Sequence, residues 1–256
     1  NVTEKTILVT NDDGIYTEGI YRLWEAVKDF GNVLVVAPDT EKSAVGHAIT
    51  ITSPLRTKHV NRSGGFSGYA VNGTPADCVK IAVRSILKSP PDLVVSGINF
   101  GANVGTNVIY SGTVSAATEG TILEIPSIAV SIDSHHPDDF KPAMDVTQNT
   151  VNKVLEFGLP KGTLLNVNIP DIPGKMIEGI RITTQGNAYY KDRFEKREDP
   201  RSNIYYWMTG ELTDPDLSGN TDNQALKDGF ISITPIHYKL TNESFMSDLQ
   251  SWGFNE

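Results

Sequence analysis

Apolar positions along this chain follow two periods, and the switches between them mark its elements. Ile7-Leu8-Val9 is a short unbroken apolar run, which fits a strand buried on both faces, and Asn11-Asp12-Asp13-Gly14 directly after it has turn composition. From Glu18 to Phe30 the period becomes helical. Ile20, Leu23, Trp24 and Val27 share one face, and Gly31-Asn32 stops the helix. Val33 to Ala37 is a second buried strand, ended by Pro38-Asp39. A strand-helix-strand unit of about 30 residues implies a parallel pair with a right-handed crossover.

Residues 39–56 break the alternation, although Ile49-Thr50-Ile51-Thr52 reads as a half-exposed strand. Residues 55–72, with Gly64-Gly65 inside, read as a hairpin inserted at the sheet edge. Thr74 and Pro75 then supply an N-cap and a first helical position, and that helix ends before Pro90-Pro91. Asp92 to Ser96 is the next strand, followed by a loop rich in Gly and Asn up to Gly105. Ser111-Gly112-Thr113 opens a helix that runs to Leu123. Ser127 to Ile132, Pro142 to Phe157 and Leu164 to Ile169 continue as strand, helix and strand.

Beyond about residue 175 the alternation stops. Ile180 to Thr184 and Asn203 to Glu211 read as the arms of a long hairpin, with a charged stretch from Lys191 to Arg201 between them. Phe230 to Pro235 alternates once more, and a short helix from Ser244 to Trp252 follows. The organisation expected is a mostly parallel α/β core over residues 1–175 and a C-terminal extension over 176–256. Tyr205-Tyr206-Trp207-Met208 is too apolar to stand in water. A subunit interface is preferred to folding back on the chain's own core.

At 256 residues the chain is near the upper end for one core, and 39% hydrophobic with 21% charged residues is ordinary for a soluble globular protein. A net charge of -9 argues against a nucleic-acid duplex as partner. Small phosphate ligands stay open, because a bound metal reverses the local field. The lone Cys78 excludes an intrachain disulfide and suits a reducing compartment, and it reads as a buried helix residue. No apolar stretch approaches the roughly 20 residues needed to span a bilayer. The expected setting is cytoplasmic, with no membrane partner.

Ligands of an open α/β sheet sit beyond the carboxyl ends of its strands, which is where Asp12 and Asp13 fall. Adjacent carboxylates repel unless a cation neutralises them, and Mg2+, Mn2+ and Ca2+ prefer such oxygens. The alternative is a solvated turn whose aspartates cap the next helix. If the loops after the strands at 7–9, 33–37 and 92–96 converge, Ser43 and Asn99 complete an all-oxygen half-cage. That cage is close to neutral with a dication, which favours a phosphate substrate. Ser111, Gly112 and Thr113 at a helix start offer amides, hydroxyls and the positive dipole end to an anion, and Gly112 allows close approach. A plain N-cap is the competing reading. His47 is read as an incidental loop residue, with a cleft contact as its minority alternative. His135-His136 is read as part of a solvated surface loop, and His59 and His237 carry no signal.

The motifs Ile7 to Gly14, Val35 to Asp39 with Ser43, Asn72 to Val79, Val94 to Asn99 and Tyr110 to Val114 closely resemble the SurE family of survival proteins. The likeness runs in order through Ser232-Ile233-Thr234-Pro235. It implies a Rossmann-like, doubly wound fold whose C-terminal extension is exchanged between subunits of a homodimer or homotetramer. It implies divalent-metal-dependent hydrolysis of nucleoside 5′- and 3′-monophosphates, with short polyphosphate as a further substrate. Carried onto this chain, the ligands of one ion per subunit, Mg2+ or Mn2+ first and Ca2+ as an alternative, are Asp12, Asp13, Ser43 and Asn99. The phosphate contacts are Asn99, Ser111, Gly112 and Thr113. Phe100 departs from the small or polar residue expected there.

The chemistry expected is attack by water on a phosphomonoester, with Asp12 or Asp13 as base; an aspartyl-phosphate intermediate is the less favoured route. A rival class is a non-catalytic, metal-dependent nucleotide-binding regulatory module. A dehydrogenase is disfavoured because Asn-Asp-Asp-Gly replaces the glycine-rich dinucleotide turn.

Overall fold

The structure is a computed structural model, described here over residues 4–216 and 219–254. The apolar run at the start is the central strand β1 (Thr6–Thr10). Helix α1 (Glu18–Val27) connects it to β2 (Asn32–Pro38). An antiparallel edge hairpin follows, β3 (Thr57–Asn61) and β4 (Ser67–Val71), with β4 also parallel to β2. Helix α2 (Pro75–Ile81) leads to β5 (Leu93–Phe100), α3 (Gly112–Ile122) to β6 (Ser127–Ile132) and α4 (Lys141–Phe157) to β7 (Thr163–Ile169).

Beyond the alternating core come β8 (Gly179–Ile182), β9 (Tyr189–Glu198), β10 (Ile204–Thr213), α5 (Asp222–Lys227), β11 (Phe230–His237) and α6 (Met246–Gln250). The main sheet has the order β3-β4-β2-β1-β5-β6-β7-β11-β8. Its central strands are parallel and β11 runs antiparallel to β7. Helices cover both faces, as the doubly wound expectation requires. Ile7 and Val9 pack with Ile20, Leu23 and Val27 of α1 and Val146 and Val151 of α4. Leu8 points the other way, into a cluster with Val79 of α2 and Ala116 of α3.

α2 begins as its sequence predicts. Thr74 accepts from the Asp77 amide at 3.1 Å, and Asp77 accepts from the Thr74 amide at 2.9 Å. The stretch at 49–52 is not a strand. The Thr50 amide and hydroxyl both donate to Asp77, while Ile49 and Ile51 face solvent, so its alternation reflects one-sided anchoring.

The hairpin expected from Ile180 to Glu211 is a second correction. β8 leaves it to pair with β11 at the end of the main sheet, and the arms are β9 and β10. The charged stretch expected as a connection is therefore strand β9. The extension from residue 176 is thus divided: β8 and β11 complete the sheet, while β9 and β10 form a separate ribbon whose residues are almost all exposed.

Candidate metal and phosphate site

β1 lies between β2 and β5, and the chain passes to opposite sides of it. That reversal opens a crevice at the carboxyl ends, the usual ligand position of such sheets. The turn after β1 is built by Asn11, whose side chain accepts from the Gly14 amide (3.1 Å) and donates to the Gly14 carbonyl (3.0 Å) and Thr17 Oγ1 (3.2 Å). Gly14 takes φ +106, which favours glycine. The Ile15 amide donates to Pro38 O (2.9 Å) and the Lys42 amide to Asp12 O (2.7 Å), which ties the β1 turn to the loop after β2.

The convergence expected of three loops is observed. One cleft of about 750 Å³ is lined by Asp12, Asp13, Ser43, Asn99 and Ser111, with Glu41, Phe100 and the two histidines 135 and 136 among its other walls. A larger cavity of about 920 Å³, beside β8 and the start of α4, contains none of the predicted ligands.

Asp12 is buried against the first turn of α3. Thr113 donates its hydroxyl to Oδ1 at 2.5 Å and its amide to Oδ2 at 3.1 Å. Burial raises the Asp12 carboxyl above its ordinary range against those bonds, and the charge of Glu41 adds to the rise. Asp13 is pushed up to about 7, first by burial and then by Asp12 and Glu41, with a backbone bond from Phe100 opposing. Its Oδ2 is buried and has no partner among the described residues. Asn99 donates Nδ2 to Gly101 O at 2.7 Å, which leaves Oδ1 as its acceptor for the cleft. Ser43 donates its hydroxyl to Glu41 Oε1 at 2.7 Å.

These residues fit a hard dication. An unpartnered buried carboxylate oxygen beside two further carboxylates stays ionised only with a cation beside it, and no Lys or Arg lines the cleft among the described residues. Nor do the described residues hold a cluster of three His, Cys, Asp or Glu side chains placed to bind a metal. An ion here must draw on Ser43, Asn99, water and substrate oxygens as well, which is how Mg2+-type ions are usually held.

The start of α3 differs from the reading of free amides. The Thr113 amide is taken by Asp12 and the Val114 amide by Ser111 Oγ (3.1 Å), so of these three the Gly112 amide alone is unengaged among the described residues. Gly112 is required by Asp12 itself: an added Cβ would sit 2.7 Å from Asp12 Cβ and 2.9 Å from Oδ2. Of the predicted residues, Thr113 and Gly112 therefore support Asp12 from behind, while Ser111 reaches the cleft wall.

His135 and His136 are exposed in the loop after β6, as expected, and that loop also borders the cleft at the same sheet edge. The rule that places ligands beyond strand ends would have found them. Glu41 was also missed, though it lies two residues from Ser43. Phe100 packs near Phe140 (ring centroids 5.8 Å) and near Gly19 of α1, on the cleft's side wall. His47 lies outside the cleft lining, against Glu119.

Comparison with known proteins places the chain. Residues 7–192 match the family model described as survival protein SurE. The 5′-nucleotidase SurE of Syntrophobacter fumaroxidans is 51% identical over 247 residues, 96% of this chain and 99% of that one. The 5′-nucleotidase SurE of Christiangramia forsetii is 45% identical over 259 residues, covering 100% of both. A crystal structure of the SurE protein from Aquifex aeolicus superposes with a TM-score of 0.84 at 44% identity, over 96% of this chain and 99% of that one. By fold, by cleft and by these matches, the chain belongs to the SurE family.

Proposed function

We propose that this chain is a divalent-metal-dependent phosphomonoesterase that hydrolyses nucleoside 5′-monophosphates to nucleoside and phosphate. The 3′-monophosphates and short polyphosphate are further substrates of the same site. The observation that carries the reading is the buried Oδ2 of Asp13, without a partner among the described residues, in a cleft that those residues line with two more carboxylates and no lysine or arginine. A phosphate dianion enters such a cleft only with a cation.

The ion, Mg2+ or Mn2+, would be held by Asp12, Asp13, Ser43 and Asn99. When bound, it supplies charge neutralisation, polarisation of phosphoryl oxygens and a water of lowered pKa. The chain's residues do the rest. Thr113 fixes both oxygens of Asp12, and Asp13 is the proton acceptor at the cleft floor. The Gly112 amide, the Ser111 side and the Asn99 carboxamide steady the phosphoryl oxygens as charge spreads over them. The 750 Å³ of the cleft leaves room for a nucleoside beyond the phosphate.

The test is phosphate release from AMP, GMP, a 3′-nucleotide and an aryl phosphate, with Mg2+, Mn2+ or chelator. Metal-stimulated release that chelator abolishes is expected. Release indifferent to chelator overturns the metal site. Metal-dependent nucleotide binding without turnover makes the protein a regulatory binding module instead.

The β9–β10 ribbon is read as a contact between copies of the chain in a homodimer or homotetramer. The register places Met208 opposite Phe194 and Leu212 opposite Tyr190, on a face shared with Tyr206 and Ile204. The other face pairs Tyr205 with Arg197 and Trp207 with Glu195. The first face also carries Asp192, Lys196 and Glu198, and a two-stranded ribbon with this much exposed apolar surface is marginal in water by itself. The cytoplasm is the setting this reading favours. Among the described residues no helix is long and apolar enough to cross a membrane.

A further inference from the structure

Glu119, halfway along α3, is a carboxylate whose side chain is 3% exposed. Its Oε1 lies 2.7 Å from Lys80 Nζ of α2, and its Oε2 lies 2.6 Å from His47 Nε2. Burial opposes its ionisation, but the His47 bond and the Lys80 ion pair outweigh that and hold the carboxyl below its ordinary range. Lys80 supplies a cation to balance the charge. His47 adds something different, because it comes from the segment between β2 and β3.

That segment carries Glu41, Ser43 and Ala44 into the cleft without forming a helix or strand over residues 40–50. Its shape is therefore set by ties to rigid neighbours. Backbone ties run from the Lys42 amide to Asp12 O (2.7 Å) and from the Gly46 amide to Tyr110 O (3.0 Å). The Ala48 carbonyl accepts from Thr74 Oγ1 at 2.7 Å. His47 is a side-chain strut four residues from Ser43, and it ends on the same helix whose first turn grips Asp12 through Thr113.

We infer that His47 is a positioning residue: its bond to Glu119 locks the 40–48 segment onto α3, so that Ser43 meets the metal in register with Asp12. Nε2 carries the proton in this bond and donates it to Oε2. The inference rests on the metal-site reading above, and it goes beyond that reading by assigning the loop's geometry to a pair of residues outside the cleft.

The test compares His47→Ala, His47→Gln and Lys80→Met with the wild type. Mn2+ affinity is read from the EPR signal of free ion, and amide hydrogen exchange over residues 40–50 is read on metal-free protein. In His47→Ala, Mn2+ affinity falls about tenfold, the scale of lost support behind a metal ligand, and the segment exchanges faster. His47→Gln, which keeps a donor, restores both toward wild type. Lys80→Met leaves both unchanged, since it removes charge compensation without freeing the loop. Unaltered exchange and Mn2+ affinity in His47→Ala overturn the inference, as does Lys80→Met matching His47→Ala in both. If His47→Ala does not fold, His47→Leu, which keeps bulk but has no donor, is read by the same two measurements with the same expected and overturning results. A wild type that binds no Mn2+ refutes the metal site itself, while the exchange measurement goes on testing the strut.

Discussion

Asp13 gives a prediction with a definite sign. In the metal-free protein its carboxyl is raised from 3.8 to about 7, chiefly by burial and then by Asp12 and Glu41. An acid with a raised folded-state pKa binds its proton more tightly folded than unfolded. Stability therefore falls as pH rises through the interval between those two values. Below about 4 both states are protonated and the penalty vanishes; above about 7 it is fully developed. A rise of about three units, at about 1.4 kcal/mol each, sets a ceiling of roughly 4 kcal/mol. Partial contact with solvent brings this to about 2–3 kcal/mol. Asp13→Asn keeps the shape and an acceptor for the backbone bond but cannot ionise. In excess chelator, urea unfolding at about pH 4, 6 and 8 should show the variant equal to wild type at the lowest pH and increasingly more stable above it. The same variant should lose most metal-dependent hydrolysis. A variant that is less stable than wild type at pH 8, or a difference that does not grow with pH, refutes the burial argument.

Gly112→Ala forces a Cβ to 2.7 Å from Asp12 Cβ, an overpacking that costs about 1–3 kcal/mol and should weaken Mn2+ binding; a stable, fully active variant would show that Asp12 is not pressed against α3. Thr113→Val removes the 2.5 Å hydroxyl bond to Asp12, with a loss of about 1.5–3 kcal/mol by urea unfolding and a higher metal requirement in the phosphate assay. Phe194→Glu together with Met208→Glu replaces the facing apolar pair at the middle of the ribbon with charge, and light scattering after gel filtration should report a smaller assembly than wild type. An unchanged mass would remove the ribbon from the interface.

What the sequence made legible was local. Ile7-Leu8-Val9 had to be a strand covered on both sides, and the turn at Asn11 is closed by its own side chain, so the aspartates' position followed from neighbours in the chain. The α2 start was equally self-contained at Thr74, Pro75 and Asp77. Non-local pairing was not legible. Nothing near Gly179–Ile182 says that its partner is β11, some 50 residues on. Charge also misled: Lys191, Arg193, Glu195 and Arg197 read as a loop, yet they are one face of a strand whose other face carries Tyr190 and Phe194. At the site, Asp12, Asp13, Ser43 and Asn99 line one cleft as their chemistry implied, whereas Glu41 needed the third dimension and the histidine pair needed the strand-end rule applied to β6 as well as to β1.

The anion-ready helix start has a different first duty from the one its sequence implies. A free helix N-terminus is worth most to a buried negative charge within its first turn, and in this fold the charge that occupies it is Asp12, with both oxygens bonded to Thr113. Asp12 therefore stays in place without a cation, whereas Asp13, with its bare Oδ2, carries the unmet demand for one. The two adjacent carboxylates thus divide the work: one is a fixed post built into α3, and the other is the group that holds a proton until an incoming ion takes its place. On this division, losing Asp13 should free stability and abolish function, while disturbing Gly112 or Thr113 should lower both together. Opposite signs from residues on one cleft are what separate an ion-binding centre from an ordinary capped turn.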